Sequence, residues 1–255
     1  WRYYWDKPEI IKYCEKHFAE AGDLARKHDV KISFHPGQFT VLASETPDIV
    51  DRSIDEFEYH VNMARWMGFG KSFQDGCKIN VHISGRQGPA GIIKAIPRLS
   101  PEARNLLTIE NDEMGWGLES SLELEKHCAL VLDIHHHWVR TGEYIQANDD
   151  RVKRVIDSWR GVRPTMHYSY SRDEWLTPAY PNAEDMHNDF HDMETLLSKG
   201  CKKQKLRAHS EMLPNKKVNE WALTFLPELD IQVEAKMKNQ AAEQLHNQAV
   251  ELGIV

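Results

Sequence analysis

Cysteine is scarce in this sequence, and the four present, Cys14, Cys77, Cys128 and Cys201, are far apart with no Cys-x-x-Cys pair. That spacing argues against a disulfide frame or a zinc knuckle and predicts four reduced thiols used for packing. No apolar run approaches the about 18 residues that a membrane-spanning helix needs. The first residues also lack the basic start, apolar core and small-residue cleavage site of a signal peptide. A cytoplasmic protein is therefore expected, with no membrane and no protein partner indicated. Repeats and low-complexity tracts are missing too. There is no surplus of positive charge: the formal net charge is −7, which taken alone favours a small-molecule enzyme over a polyanion binder. Finally, the chain opens at Trp1 without an initiator Met and without a strand before its first helix, so a fragment is one expectation.

What is present is enough for one sizeable core. A chain of 255 residues with 41% hydrophobic content suits a single α/β barrel domain over 1–255. Asp6 and Pro8 predict a helix start, and Ile10, Ile11, Cys14, Phe18, Ala21 and Ala25 continue it at helical spacing to His28-Asp29. A strand follows over 30–35. Thr46-Pro47 predicts the cap of a second helix reaching Gly68, and strands are expected at 77–82 and 106–110. Residues 91–105 read as helix interrupted at Pro97 and Pro101, residues 118–127 as helix, and residues 149–159 as a helix with a basic face. Further strands fall at 165–168 and 229–234, with a helix over 218–226 and a polar one at the end. Residues 169–206 contain no clear strand and one helix around 185–197, long for a connection, so a lid or insertion is expected there.

The organising stretch is Ala129-Leu130-Val131-Leu132-Asp133-Ile134-His135-His136-His137, an apolar run that empties into an Asp and three imidazoles. Such a run is what a parallel strand covered on both faces looks like. Asp133 with His136 three residues on is a ligand pair for Zn²⁺, Mn²⁺ or Fe²⁺. Each of the six strands finishes on a residue of ligand type: His35, His82, Glu110, Asp133 with His136, His167 and Glu234. Alternating strands and helices call for a parallel sheet and, at this length, a TIM-type barrel, whose strand C-termini would bring these residues to one mouth. They are too many for one tetrahedral ion, so a cluster of two or three divalent metals is expected, of the kind that serves phosphoryl chemistry. Imidazole-rich sites disfavour Mg²⁺; Mn²⁺ is the ion expected, with Zn²⁺ the alternative. Between Lys199 and Lys217 seven Lys/Arg face one acid, Glu211, and within it Lys202, Lys203 and Lys205 are candidates for phosphate contact.

These motifs together resemble the UV-damage endonuclease family, relatives of endonuclease IV on a metal-dependent TIM barrel. The resemblance rests on Phe34-His35-Pro36-Gly37-Gln38-Phe39, Asn80-Val81-His82, Ile109-Glu110-Asn111-Asp112, Asp133-Ile134-His135-His136, Met166-His167-Tyr168-Ser169, Arg207-Ala208-His209-Ser210 and Val233-Glu234-Ala235-Lys236, and spans Val30 to Lys238. It implies a DNA repair endonuclease that cuts UV-damaged duplex DNA 5′ to the lesion. It also implies metal ligation by His35, His82, Glu110, Asp133, His136, His167, His209 and Glu234, among which Glu110, Glu234 and His82 count as catalytic. Gln38 and Phe39 are implied to probe the helix at the lesion.

The chain departs from the family pattern in three places. One helix precedes the His35 strand where two strand-helix units are expected, which implies a barrel missing its first two strands. Thr165 stands where the pattern has a metal-bridging modified lysine, and Phe39 stands where Tyr is frequent. Two other readings compete: a xylose-isomerase-like sugar isomerase or epimerase, which shares the barrel and the Asp-x-x-His pair, and an inactive metal- or DNA-binding fragment.

Overall fold

The computed structural model describes residues 7–255, so the expected cap Asp6 lies outside the described residues. Helix α1 (Pro8–Lys27) starts with Pro at its first turn and has Lys7 in extended geometry at its N-cap. It is followed by β1 (Ser33–Phe34), α2 (Pro47–Trp66), β2 (Lys78–His82), α3 (Gly88–Ala95), α4 (Pro101–Leu106) and β3 (Leu107–Glu110). Then come α5 (Leu118–Leu122), β4 (Ala129–Val131), α6 (Ile134–Thr141), α7 (Asp150–Ser158) and β5 (Thr165–Tyr168). Four short helices, α8 (Asp173–Leu176), α9 (Ala183–His187), α10 (Met193–Ser198) and α11 (Lys203–Leu206), precede α12 (Lys216–Leu223), β6 (Asp230–Val233) and α13 (Asn239–Glu251). All four cysteines are free thiols, three of them buried, as the spacing predicts. No helix among the described residues is long and apolar enough to cross a membrane.

The chain divides into two compact units. Unit 1 takes Trp1–Glu110, Glu123–Ala129 and Arg160–Val162, and unit 2 takes Asn111–Leu122, Leu130–Trp159 and Arg163–Val255.

In unit 1, β1, β2 and β3 lie side by side and run parallel, with Phe34 opposite Ile79 and His82 opposite Glu110. β2 and β3 are buried almost throughout, which is why their sequences show no polar alternation. Ile79, Val81 and Ile109 are essentially inaccessible, and each contributes about 2 kcal/mol by leaving water. β1 is shorter than the expected 30–35. Val30 is drawn instead into the end of α1, its N–H donating to Ala25 O at 2.8 Å after Asp29 turns left-handed at φ 52°. α1 approaches the end of α2 closely: a Cβ at Gly22 would stand 2.1 Å from Met67 O, and Arg26 Nη1 donates to that carbonyl at 2.7 Å. Thr46 occupies the N-cap of α2, but its side chain makes no capping bond. β2 opens on a buried lysine whose charge is dispersed: Lys78 Nζ donates to Phe73 O at 2.8 Å and Asn105 O at 3.1 Å and lies 4.0 Å over the Phe73 ring. Burial pulls its pKa down to about 8.

In unit 2, β5 and β6 pair in parallel from Thr165 opposite Asp230 to Tyr168 opposite Val233. Asp133 bridges to His167 in the same sense, and His167 N–H donates to Leu132 O at 2.9 Å. Three of the large polar-tipped side chains of the core find partners, as buried N–H and O–H groups usually do. Trp159 Nε1 donates to Leu130 O at 2.7 Å, Tyr168 Oη to Asn219 Oδ1 at 2.6 Å, and Trp221 Nε1 to Ile145 O at 2.8 Å. The segment over 169–206 contains no strand, and where one helix was expected over 185–197, α9 and α10 are separated by Asn188–Asp192. Helix 118–127 is likewise shorter than expected, ending at Leu122.

The expected parallel α/β organisation is therefore present. Among the described residues, neither set of paired strands closes on itself within its unit.

Candidate metal centre

The C-terminal ends of the unit 1 strands gather three residues of ligand type. His82 is the last residue of β2 and faces Glu110, the last of β3, while His35 follows β1 directly. The ligand atoms of His35, His82 and Glu110 all lie within 4.8 Å of one another. His35 Nε2 is 3.3 Å and His82 Nε2 4.0 Å from Glu110 Oε2, and the two rings are 5.0 Å apart. The Glu110 side chain is fully buried. His35 Nδ1 is 3.1 Å from Pro36 O, and since a carbonyl only accepts, Nδ1 carries the proton and Nε2 presents a lone pair. Asn80, two residues before His82 and so on the same strand face, donates to Glu110 Oε2 and accepts from Thr108 Oγ1 at 3.1 Å.

Unit 2 draws its candidate ligands from four segments. Asp133 caps α6, its Oδ1 accepting from His136 N at 2.7 Å, so the short turn that starts the helix also sets the Asp-x-x-His spacing. His136 Nδ1 donates to Asn111 O at 3.0 Å, which leaves Nε2 as the lone-pair nitrogen, 3.6 Å from Glu113 Oε2. The Asn111 side chain holds the Asp133 main chain at both ends, accepting from Asp133 N at 2.8 Å and donating to Asp133 O at 2.9 Å. At the end of β5, His167 Nδ1 is 3.3 Å from Glu234 Oε1, and Glu234 N donates to Tyr168 O at 2.9 Å. His209 Nδ1 donates to Glu234 O at 2.8 Å. Burial holds the His209 imidazole below its ordinary pKa against the opposing pull of Glu234, which keeps it in the neutral, ligand-competent form.

Three of these imidazoles thus spend Nδ1–H on a main-chain carbonyl and present Nε2, the arrangement that fixes the tautomer of metal-binding histidines. Neutral imidazoles mixed with buried carboxylates suit Mn²⁺, Zn²⁺ or Fe²⁺ better than Mg²⁺. In both units the donor set therefore fits divalent cations.

Behind the ligands, His135 is wedged by two serines. Ser171 Oγ donates to Leu206 O at 2.6 Å and so accepts from His135 Nε2–H at 3.1 Å, while Ser169 Oγ donates to His135 Nδ1 at 2.8 Å. Burial depresses its pKa well below the ordinary value, so the ring is neutral.

The residues expected to touch DNA are differently placed. Gln38 and Phe39 form a turn just after His35, and Phe39 is 84% exposed, an unusual position for a large apolar ring. Lys202 is exposed at the N-cap of α11. Lys203 Nζ is tied to Arg140 O, and Lys205 Nζ lies 4.5 Å over the Trp175 ring. His187 and His191, at helical spacing in the sequence, do not form a metal pair: α9 ends at His187, and buried His191 is bonded to Tyr170 Oη at 2.6 Å.

Three residues of the site were not singled out from sequence. Asn80 had a usable signal, its strand parity with His82, and Asn111 its position next to Glu110. Glu113, buried 3.6 Å from His136 Nε2 and ion-paired with Arg207, had none, because only the fold of its loop brings it there.

Comparison with known proteins gives a consistent result. A family described as UV-endonuclease UvdE matches residues 6–253. The UV DNA damage endonuclease of Bacillus pumilus is 31% identical over 193 residues, covering 71% of this chain and 57% of that protein. The UV-damage endonuclease of Schizosaccharomyces pombe is 27% identical over 247 residues, 92% of this chain and 36% of that one. The chain thus spans little more than half of the first relative's length and about a third of the second's. Among solved structures, that of SacUVDE is similar in fold, with a TM-score of 0.72 at 23% identity over 94% of this chain and 72% of that chain.

Proposed function

Because the chain belongs to the UV-endonuclease UvdE family, we propose that it is a DNA repair endonuclease that recognises UV-damaged duplex DNA and hydrolyses the phosphodiester 5′ to the lesion. The observation that carries this reading is the His35, His82 and Glu110 group, three ligand atoms within 4.8 Å of one another at the ends of adjacent parallel strands. The reading places His35, His82 and Glu110 in unit 1 and Asp133, His136, His167, His209 and Glu234 in unit 2 as ligands of two or three divalent ions, Mn²⁺ ahead of Zn²⁺. It takes the strands as parts of one TIM-type (β/α) barrel domain with residues 169–206 inserted, working at the chromosome.

When bound, such ions supply a hydroxide near neutral pH and neutralise charge on the leaving oxygen. The chain's own part is positioning. Pro36 O, Asn111 O and Glu234 O hold the imidazoles with Nε2 forward. Asn80 anchors one oxygen of Glu110, and Glu110 and Glu234 supply the negative charge that retains cations at the site. Gln38 and the exposed Phe39 are suited to enter the base stack at a distorted step, where unstacking costs a few kcal/mol less than in intact DNA. Lys202, Lys203 and Lys205 serve the phosphates without regard to sequence.

The test is nicking of a duplex bearing one pyrimidine dimer by protein stripped with EDTA and reloaded with Mn²⁺, Zn²⁺ or Mg²⁺, with metal counted by native mass spectrometry. A cut 5′ to the dimer that returns with Mn²⁺ supports the reading. Full activity in EDTA, or no cut under any condition, refutes it.

A further inference from the structure

Glu113 and Arg207 form a charged pair at the unit 2 ligands that the reading above does not use. Glu113 sits in the loop between Asn111 and Gly117, which is held tight: Asp112 Oδ1 accepts from Met114 N at 2.7 Å and from Gly115 N, and Asp112 N donates to Trp116 O at 2.9 Å. The Glu113 side chain is 1% exposed, and its two oxygens serve different partners. Oε1 pairs with Arg207 Nε, and Oε2 stands 3.6 Å from His136 Nε2, the ring nitrogen opposite the one that bonds Asn111 O.

The Arg207 side chain, by contrast, is 50% exposed. It closes α11 and precedes the ligand His209 by two residues. An arginine ion-paired at its Nε side keeps both Nη groups, and no protein acceptor for them is found among the described residues. Four N–H donors in one plane are thereby fixed at the solvent edge of the site, a geometry that matches two oxygens of a phosphate. The nearby lysines meet phosphates only as point charges and cannot offer this paired geometry; Lys203 also donates to Arg140 O, and Lys205 lies over Trp175.

We propose that Arg207 grips a substrate phosphate beside His136 and His209, and that Glu113 is the positioning residue that aims it. The inference rests on the endonuclease reading and adds to it a specific phosphate contact.

The test measures binding of the lesion duplex in EDTA, where no cutting occurs, across a salt series. Wild type is compared with R207A, R207K, E113Q and the double variant E113Q/R207A, and nicking is followed separately in Mn²⁺. The double variant guards against misfolding, because R207A alone leaves a buried carboxylate without its cation. Loss of one phosphate contact should lower the slope of log K against log salt by about 0.9 in both R207A and the double variant, with R207K close to wild type. Metal content should stay at the wild-type count in E113Q. A wild type that binds and nicks while R207A and E113Q/R207A keep its slope overturns the inference alone. Loss of metal from E113Q also overturns it, by making Glu113 a ligand. A wild type that neither binds nor nicks overturns the endonuclease reading and the Arg207 assignment together.

Discussion

Replacing Asn111 with Ala should loosen Asp133 while leaving the ligand residues themselves intact. Asn111 is fully buried and exchanges two hydrogen bonds with the Asp133 main chain, at 2.8 and 2.9 Å. In the variant the Asp133 carbonyl still accepts from His137 N at 3.1 Å, whereas the Asp133 amide loses its Asn111 acceptor. Two bonds at about 1 kcal/mol each, with a further 1–3 kcal/mol for a buried donor deprived of that partner, give a loss of about 3–5 kcal/mol. The main-chain oxygen of Asn111 that orients His136 survives the substitution, so the defect is confined to the Asp133 side of the pair. Urea unfolding at fixed metal concentration should therefore show a lower midpoint at unchanged slope. A metal-competition titration should show affinity reduced by about 10–100-fold, the usual consequence of removing a group that orients a ligand. An Asn111→Ala protein within 1 kcal/mol of wild type and with unchanged metal affinity would refute the assignment of Asn111 as the support of Asp133.

Glu110→Gln and Glu234→Gln should each abolish nicking while preserving the circular dichroism spectrum, because the amide fills the same space without the charge that retains a cation. Activity within about threefold of wild type in either would sink the metal assignment. Gln38→Ala with Phe39→Ala should keep its metals and melting temperature and still cut a duplex already opened at an abasic gap, yet cut the dimer duplex far more slowly. Equal losses on both substrates, or a drop in thermal stability, would remove this turn from recognition. His191, 2% exposed, has its pKa lowered by burial from 6.5 to about 4. The unfolded chain therefore binds a proton that the folded one refuses between those values, and stability is complete above pH 6.5 and falls as pH drops toward 4 by at most about 3 kcal/mol. His191→Asn should flatten the pH dependence of urea unfolding in that window, and an identical slope in both proteins would show that other groups set it.

The pattern of strand-end ligands was legible because two short-range codes overlap in this chain. Unbroken apolar runs mark buried parallel strands, and the polar residue that ends each run marks where the strand leaves the core, so His82, Glu110, Asp133 and His167 could be placed before any contact was known. The spacing of Asp133 and His136 was equally local, since a helix cap needs its acceptor three residues before the amide it binds. Lengths of elements were less legible. Val30 satisfied strand patterning but is claimed by the end of α1, and residues 118–127 carried helical spacing that stops at Leu122.

The sequence by itself determined which residue types end the strands and, through the combination of motifs, the family. The tertiary structure alone decided how they are held. Whether a histidine presents Nδ1 or Nε2 depends on a carbonyl 25 residues away for both His136 and His209. Lys203 reads as a free cation until Arg140 O is found beside it, and Glu113 reads as a surface acid until its loop buries it between Arg207 and His136. Hydrogen-bond partners remote along the chain leave no periodic trace, because pairing depends on distance in space, whereas strand and helix patterns are imposed by neighbours only two to four residues apart.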